Sequence, residues 1–175
     1  MKQFNQQTPP LMLKRIASPL GELSLVAGAQ GLRGIYFSQH RHRPPSDHWQ
    51  EQPAEPLLIE TERQLQAYFS RRLQQFDLPL DLSGGTPFQQ KVWQALALIP
   101  YGTTWSYLEL ASLLQQPAAV RAVGAANGRN PFSIVLPCHR VIASSGALTG
   151  YAGGLENKLA LLNLEAGERQ GLLIN

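Results

Sequence analysis

The run Pro137-Cys138-His139-Arg140-Val141 contains the only cysteine of this 175-residue chain, and a histidine follows it directly. A neutral imidazole can accept the thiol proton, either directly or through water, and the resulting thiolate is the reactive form of cysteine. An inert role is the alternative, because free cysteine is among the most buried residue types. The pair alone leaves both interpretations open.

Composition restricts the class of protein. With 43% hydrophobic residues the chain can bury a core of one medium or two small domains. One cysteine excludes an intramolecular disulfide and a cysteine-rich zinc cluster, which indicates a reducing compartment, so we expect a cytoplasmic protein. No run reaches the roughly 18 apolar residues of a membrane span, and residues 1–10 lack a signal core. His40, His42 and His48 fit a solvated loop, so no metal is expected.

Positive charge is concentrated in the second half of the chain. The net charge is +3 and the pI about 9.2, values that permit contact with nucleic acid without requiring it. Within residues 86–154 there are four cations and one carboxylate, namely Lys91, Arg121, Arg129, Arg140 and Glu109.

The patterns predict an α+β fold of two domains. Three strands over residues 13–17, 22–27 and 32–37 form a small antiparallel sheet. A surface loop over 39–56, a helix over 57–74 and a strand or extended connector over 76–82 follow. Ser83-Gly84-Gly85 marks the boundary, giving domains 1–85 and 86–175.

Helices dominate beyond the boundary. Thr86 caps a helix that opens with Pro87 and ends before Pro100. Helices over 106–114 and 118–127, separated by Gln115-Gln116-Pro117, predict a helix-turn-helix. In the second of these, Arg121 lies among alanine and glycine, away from the valines. Such a bare face suits either close packing against another helix or an approach to DNA by Arg121.

Four motifs stand in a fixed order: Arg121-Ala122-Val123-Gly124, Asn130-Pro131, the run 137–142 and Gly150-Tyr151-Ala152-Gly153-Gly154. In this order and at these separations they closely resemble the methylated-DNA-protein-cysteine methyltransferases, also called alkylguanine-DNA alkyltransferases. The resemblance is strongest over residues 86–167. It extends to the first half, where it implies a ribonuclease-H-like domain, and the chain resembles the compact, zinc-free bacterial type.

The resemblance implies a reaction and assigns residues to it. Such proteins rotate a damaged nucleotide out of the duplex and move the alkyl group from a guanine oxygen to sulfur. Cys138 is then the acceptor, and His139 removes its proton through a bridging water. Glu165 orients the imidazole, and Asn130 braces the active-site turn. Arg140 either helps to keep Cys138 ionised or is a structural hydrogen-bond donor.

Further positions follow from the same resemblance. Tyr107 donates to the flipped guanine ring, whose amino group is received by the carbonyls of Cys138 and Val141. The backbone amide of Ala152 reaches the oxygen that is freed, and Tyr151 belongs to the same substrate pocket. Arg121 fills the vacated base stack from the minor groove. The small residues around it contact DNA, namely Ala118, Ala122, Gly124 and Ala125.

The product of this transfer is a thioether, so each molecule acts once and no cofactor is needed. The expected partner is double-stranded DNA with 6-O-alkylguanine or, less well repaired, 4-O-alkylthymine. We expect a monomer that binds no membrane and needs no obligate protein partner. Two other classes compete. A cysteine hydrolase would turn over repeatedly, and a non-catalytic lesion-binding module would not need Cys138.

Overall fold

A four-stranded sheet with one helix packed on it forms the first half of the structure. The computed structural model describes residues 9–167; the glutamine-rich residues 1–8 and residues 168–175 lie outside it. The strands are β1 (Met12–Ile16), β2 (Leu23–Gly28), β3 (Gly31–Phe37) and β4 (Gln50–Glu51), in the spatial order β3-β2-β1-β4. Strands β1 to β3 form the antiparallel meander that the turn signals predict.

The sheet is mixed, and its fourth strand corrects the expectation of a purely antiparallel sheet. Strand β4 lies within the expected surface loop and pairs parallel with β1, where Met12 faces Gln50. Backbone hydrogen bonds from Gln50 to Leu11 and from Gln52 to Leu13 hold it there. Two residues are too few to show the alternation that identifies a strand in sequence.

The same loop contains a histidine that is only partly exposed to solvent. His40 is half-buried, with its ring centroid 5.1 Å from that of Tyr36 and 6.2 Å from that of Phe37. Burial, with smaller contributions from Arg43 and His42, lowers the pKa of His40 to about 4. Within residues 9–167, no cluster of three potential metal ligands occurs and no helix is long and apolar enough to span a membrane.

Helix α1 (Pro56–Phe69) packs on the sheet, and its buried side chains include Leu58, Leu65 and Tyr68. The Glu55 carboxylate caps it by accepting from the Leu58 amide at 2.8 Å. The helix ends five residues before the predicted residue 74, because Arg71 has φ +60° and turns the chain out of the helix. The following connector is extended. It joins the edge of β3 through a bridge between Leu32 and Leu80.

Four helices and a second, two-stranded sheet form the rest of the fold as far as residue 167. They are α2 (Pro87–Leu96), β5 (Trp105–Ser106), α3 (Tyr107–Leu113), α4 (Val120–Gly128), β6 (Val141–Ile142) and α5 (Leu155–Ala166). Capping boxes begin α2 at Thr86 and α3 at Ser106. Helices α3 and α4 form the predicted helix-turn-helix, and Gln115 at φ +58° makes the turn between them.

The two halves share one hydrophobic core. Its contiguous buried side chains come from the first sheet, from α1 and from the later helices, and they include Leu25, Leu65, Leu96, Val123 and Leu161. The short parallel pairing of β5 with β6 brings the start of α3 next to the cysteine-bearing turn. Cys138 belongs to this shared core, so both halves contribute to the surroundings of the site that the motifs predict.

Candidate active site and DNA-binding face

The cysteine lies on a single 3-10 turn, Cys138–Arg140, that enters β6. Asn130 is buried beneath the loop leading to this turn. Its amide donates to the Leu136 carbonyl, and its side-chain oxygen accepts from the Phe132 amide, both at 2.9 Å. Because Asn130 ties these two points of the loop together, it restricts the path by which the chain reaches Cys138.

A buried carboxylate from α5 contacts the same turn. Glu165 Oε1 lies 2.7 Å from His139 Nε2, although the two residues are 26 positions apart. Arg140 donates a bidentate pair of hydrogen bonds to the carboxylate, from Nε to Oε2 at 2.8 Å and from Nη2 to Oε1 at 2.9 Å. The structure thus places Glu165 beside the adjacent pair Cys138 and His139, a proximity that only the family resemblance had implied.

The protonation state of Glu165 decides which imidazole nitrogen is free. Burial favours the neutral acid, but hydrogen bonds from His139 and Arg140 outweigh it and lower the pKa of Glu165 to about 2. The ionised carboxylate is an acceptor only, so His139 Nε2 carries the proton and donates. His139 Nδ1 then keeps its lone pair, and it has no hydrogen-bond partner among the described residues.

Burial disfavours the charged forms of the thiol and the imidazole. It raises the pKa of the Cys138 thiol, against the opposing influence of Asn130 and the charge of Lys158. It also lowers the pKa of His139, against the attraction of Glu165. The neutral imidazole is the form that can accept a proton. The site is therefore arranged for proton removal at the moment of reaction and not for a permanently ionised sulfur.

The contacts of Arg140 fit the structural hydrogen-bond donor, one of the two roles that the sequence left open. It is 5% exposed, not a solvated arginine beside a turn. Besides its two bonds to Glu165, its Nη1 donates to the Ile99 carbonyl at 2.6 Å. Its guanidinium neutralises Glu165 and fixes the plane of that carboxylate.

Lys158 is a site residue that the sequence reasoning missed. It is fully buried on α5, and its Nζ donates to the carbonyls of Val141 at 2.7 Å and Thr149 at 2.9 Å. Burial lowers the pKa of Lys158 to about 8, while the nearby Cys138 opposes that change. Its spacing from Glu165 is two helical turns, which places both on one face of α5; this spacing was the available signal.

The residues expected around the substrate lie at the start of α3, in β6 and in the segment before α5. The Tyr107 hydroxyl, at the start of α3, donates to the Thr149 carbonyl at 3.3 Å. The Tyr151 hydroxyl is buried, and burial raises the pKa of Tyr151. The Ser133 hydroxyl lies near it without a hydrogen bond of standard geometry. Ala152 is half-buried on the same segment, and Val141 is buried in β6.

Helix α4 and the turn before it present a small-residue face to solvent. Arg121 is exposed and has no ion pair or hydrogen bond within residues 9–167, while Val123 lies in the core. Ala118, in a 3-10 turn before α4, is exposed together with Ala122 and Ala125. Gly124 is half-buried, not exposed, and a side chain there would make ordinary van der Waals contact with the Tyr107 ring.

Three contacts from the first half reach the site, and the sequence predicted none of them. The Tyr68 hydroxyl donates to Glu165 Oε1 at 2.7 Å. The Arg41 amide donates to the Ala152 carbonyl at 2.8 Å. The Phe37 ring packs edge-on against Tyr151, with centroids 6.0 Å apart. The first half therefore borders the site and is more than a scaffold joined to it.

Comparison with known proteins agrees with this arrangement. Residues 87–167 match the DNA-binding domain of the 6-O-methylguanine DNA methyltransferases, and residues 12–82 match the ribonuclease-like domain of the same proteins. The chain belongs to this family. The predicted resemblance is thereby confirmed, together with the fold class and the class of DNA-repair methyltransferase.

Relatives align along most of the chain. A methylated-DNA-protein-cysteine methyltransferase from Mycobacterium tuberculosis is 47% identical over 152 residues, which are 87% of this chain and 90% of that protein. The protein of the same name from Methanosarcina barkeri is 49% identical over 152 residues, covering 86% and 94%. A crystal structure of M. tuberculosis OGT in complex with DNA superposes with a TM-score of 0.83 at 47% identity, covering 88% of this chain and 92% of that one.

Proposed function

We propose that this protein repairs 6-O-alkylguanine in double-stranded DNA by moving the alkyl group irreversibly to the sulfur of Cys138. The arrangement of Glu165 and His139 carries this proposal. Glu165 accepts a hydrogen bond from Nε2 of the imidazole. This leaves Nδ1 as the proton acceptor, and His139 is next in sequence to the only cysteine of the chain. The M. tuberculosis relative whose structure contains DNA supports DNA as the partner.

The proposed reaction is a displacement at the alkyl carbon. His139 Nδ1 takes the thiol proton through a bridging water, and the sulfur electron pair forms the new carbon–sulfur bond. The carbon–oxygen bond breaks and its electron pair remains on guanine. Guanine then receives the proton that His139 took from the thiol. Glu165 stabilises the imidazolium while it exists. A thioether is a poor leaving group, so Cys138 is not regenerated.

Substrate groups are assigned to the residues around the turn. The Tyr107 hydroxyl donates to the guanine ring as negative charge develops, and the Ala152 amide donates to the freed oxygen. The carbonyls of Cys138 and Val141 accept from the amino group of the base. Lys158 supports this assignment, because its bond to the Val141 carbonyl fixes the position of that acceptor.

DNA is assigned to the exposed side of α4. Arg121 enters the duplex and occupies the stack that the flipped base leaves, which offsets part of the cost of flipping. Its exposure and lack of partners within the described residues support this role. The alanines beside it let the helix approach a narrow minor groove. Asn130 and Tyr151 support the turn and the pocket wall.

The proposal includes the wider expectations from the sequence. The protein acts as a cytoplasmic monomer, requires no cofactor, and repairs 4-O-alkylthymine less well than alkylguanine. The ribonuclease-like domain ends at residue 85 and the alkyl-acceptor domain begins at residue 86. The family matches, which end at residue 82 and restart at residue 87, support this division.

Mass spectrometry of the intact protein tests the reaction. With an excess of duplex containing 6-O-methylguanine, we expect one methyl group per protein molecule, located on Cys138 by peptide mapping. Unmodified duplex is the control. The Cys138→Ala variant should bind the lesion duplex as tightly as wild type and transfer nothing. Repeated turnover would indicate a hydrolase, and restored DNA with an unmodified thiol would refute the proposal.

A further inference from the structure

The catalytic carboxylate is held from both halves of the molecule. Glu165 belongs to the second half, yet the hydroxyl of Tyr68 on α1 donates to its Oε1 at 2.7 Å. Both side chains are buried: Tyr68 is fully enclosed and the Glu165 side chain is 1% exposed. Water cannot replace this hydrogen bond readily, so the carboxylate depends on Tyr68 for one of its donors.

Tyr68 binds the oxygen that also contacts the imidazole. Glu165 Oε1 accepts from Tyr68 and lies at the same distance, 2.7 Å, from His139 Nε2. Arg140 spans both oxygens and fixes the plane of the carboxylate. The Gly102 amide completes the set with a longer bond to Oε2, 3.3 Å. Tyr68 therefore defines, together with Arg140, where Oε1 stands relative to His139.

The position of the hydroxyl is itself fixed by packing. Aromatic rings surround Tyr68, with centroid distances of 5.5 Å to Phe69, 5.4 Å to Phe76 and 6.1 Å to Tyr101. A ring locked in this way loses little further freedom when its hydroxyl makes a hydrogen bond. Burial and the adjacent Glu165 raise the pKa of Tyr68, so its hydroxyl remains a donor.

We propose that Tyr68 is a positioning residue for alkyl transfer: its hydroxyl holds Glu165 Oε1 in line with His139 Nε2, so that Nδ1 is the proton acceptor. This inference rests on the proposed function. It gives the ribonuclease-like domain a direct part in the reaction. Without the hydroxyl, Glu165 moves toward Arg140, the imidazolium loses part of its counter-charge, and the thiol gives up its proton less readily.

The Tyr68→Phe variant tests the proposal, because it removes one oxygen atom and keeps the ring. We expect single-turnover transfer from a 6-O-methylguanine duplex to slow roughly tenfold, with the affinity for that duplex unchanged. Alkylation of Cys138 by iodoacetamide provides a readout without DNA. Its pH midpoint should move upward in the variant, because misaligned Glu165 stabilises the imidazolium less.

Tyr101→Phe is the matched control. Tyr101 lies beside Tyr68, and its hydroxyl makes no hydrogen bond to Glu165 in the part of the chain that the structure describes. We expect its rate and its iodoacetamide profile to stay within about twofold of wild type. Equal losses in the two phenylalanine variants would show a general packing effect and overturn the proposal.

A double-mutant cycle supplies a second measurement. In the Glu165→Gln background, adding Tyr68→Phe should change the iodoacetamide rate by less than about twofold, because the two residues act through one contact. Additive effects would overturn the proposal, as would an unchanged or lowered pH midpoint in Tyr68→Phe alone. If wild type fails to transfer methyl groups from DNA, the proposed function fails, whereas the iodoacetamide comparison still decides the role of Tyr68.

Discussion

Replacing Glu165 with glutamine should destabilise the protein by an amount that depends on pH. The folded state lowers the pKa of Glu165 from 4.5 to about 2. At about 1.4 kcal/mol for each tenfold change in the acid constant, this corresponds to about 3 kcal/mol of stability at pH 7. The substitution also leaves the buried Arg140 without its charged partner, and breaking a buried ion pair in this way costs a similar amount of stability, about 3–5 kcal/mol.

The sign of the pH dependence follows from the direction of the pKa change. A carboxylate with a lowered folded pKa stabilises the protein fully above its unfolded value of 4.5, and this contribution is lost as the pH falls through about 2. At pH 3 the contribution of Glu165 is reduced to about 1.4 kcal/mol. The difference between wild type and Glu165→Gln should therefore shrink by more than half between pH 7 and pH 3.

Urea unfolding followed by tryptophan fluorescence at the two pH values measures this difference. Thermal unfolding at pH 7 should show a midpoint about 10 °C lower in the variant. Glu60→Gln is the matched control. The pKa of Glu60 is also lowered to about 2, chiefly by its hydrogen bond from Arg63, but the pair lies on the surface. Solvent screens such a pair, so this variant should lose little stability. A Glu165→Gln deficit that is equal at both pH values would refute the reasoning.

Further predictions concern packing, titration and DNA. Gly153→Ala places a methyl group against the Phe37 ring and should lower the unfolding free energy by about 1–3 kcal/mol. The methyl group of Gly128→Ala points into open space, so this variant should gain about 0.5–1 kcal/mol. Chemical denaturation of both variants measures the two changes. His40 has a folded pKa of about 4 against an ordinary 6.5, so stability falls as the pH drops through this interval, and His40→Phe should show a shallower fall in pH-dependent melting. Arg121→Ala should slow repair of a methylated duplex roughly tenfold or more in rapid-quench assays with an unchanged melting temperature; wild-type kinetics would remove Arg121 from its proposed role.

Local sequence signals predicted the elements that local interactions form. The meander follows from turn residues between β-type runs, and α2 and α3 begin at Thr86 and Ser106 because their capping boxes close within four residues. The break at Gln115 likewise depends on neighbouring residues alone. Strand β4 and the β5–β6 pair were missed because two-residue strands carry no periodic pattern.

For the candidate site too, the sequence predicted what depends on neighbouring residues, and the tertiary structure decided the rest. Cys138 and His139 are adjacent in the chain, so their pairing is visible in the sequence, and the ordered motifs around them indicated the family. Tertiary packing decided the rest. It buried Arg140, brought Lys158 to the Val141 carbonyl, and placed Tyr68 on Glu165. These contacts join residues distant in sequence, and burial sets the protonation of the thiol and the imidazole, because desolvation depends on everything packed around a group and not on its neighbours along the chain.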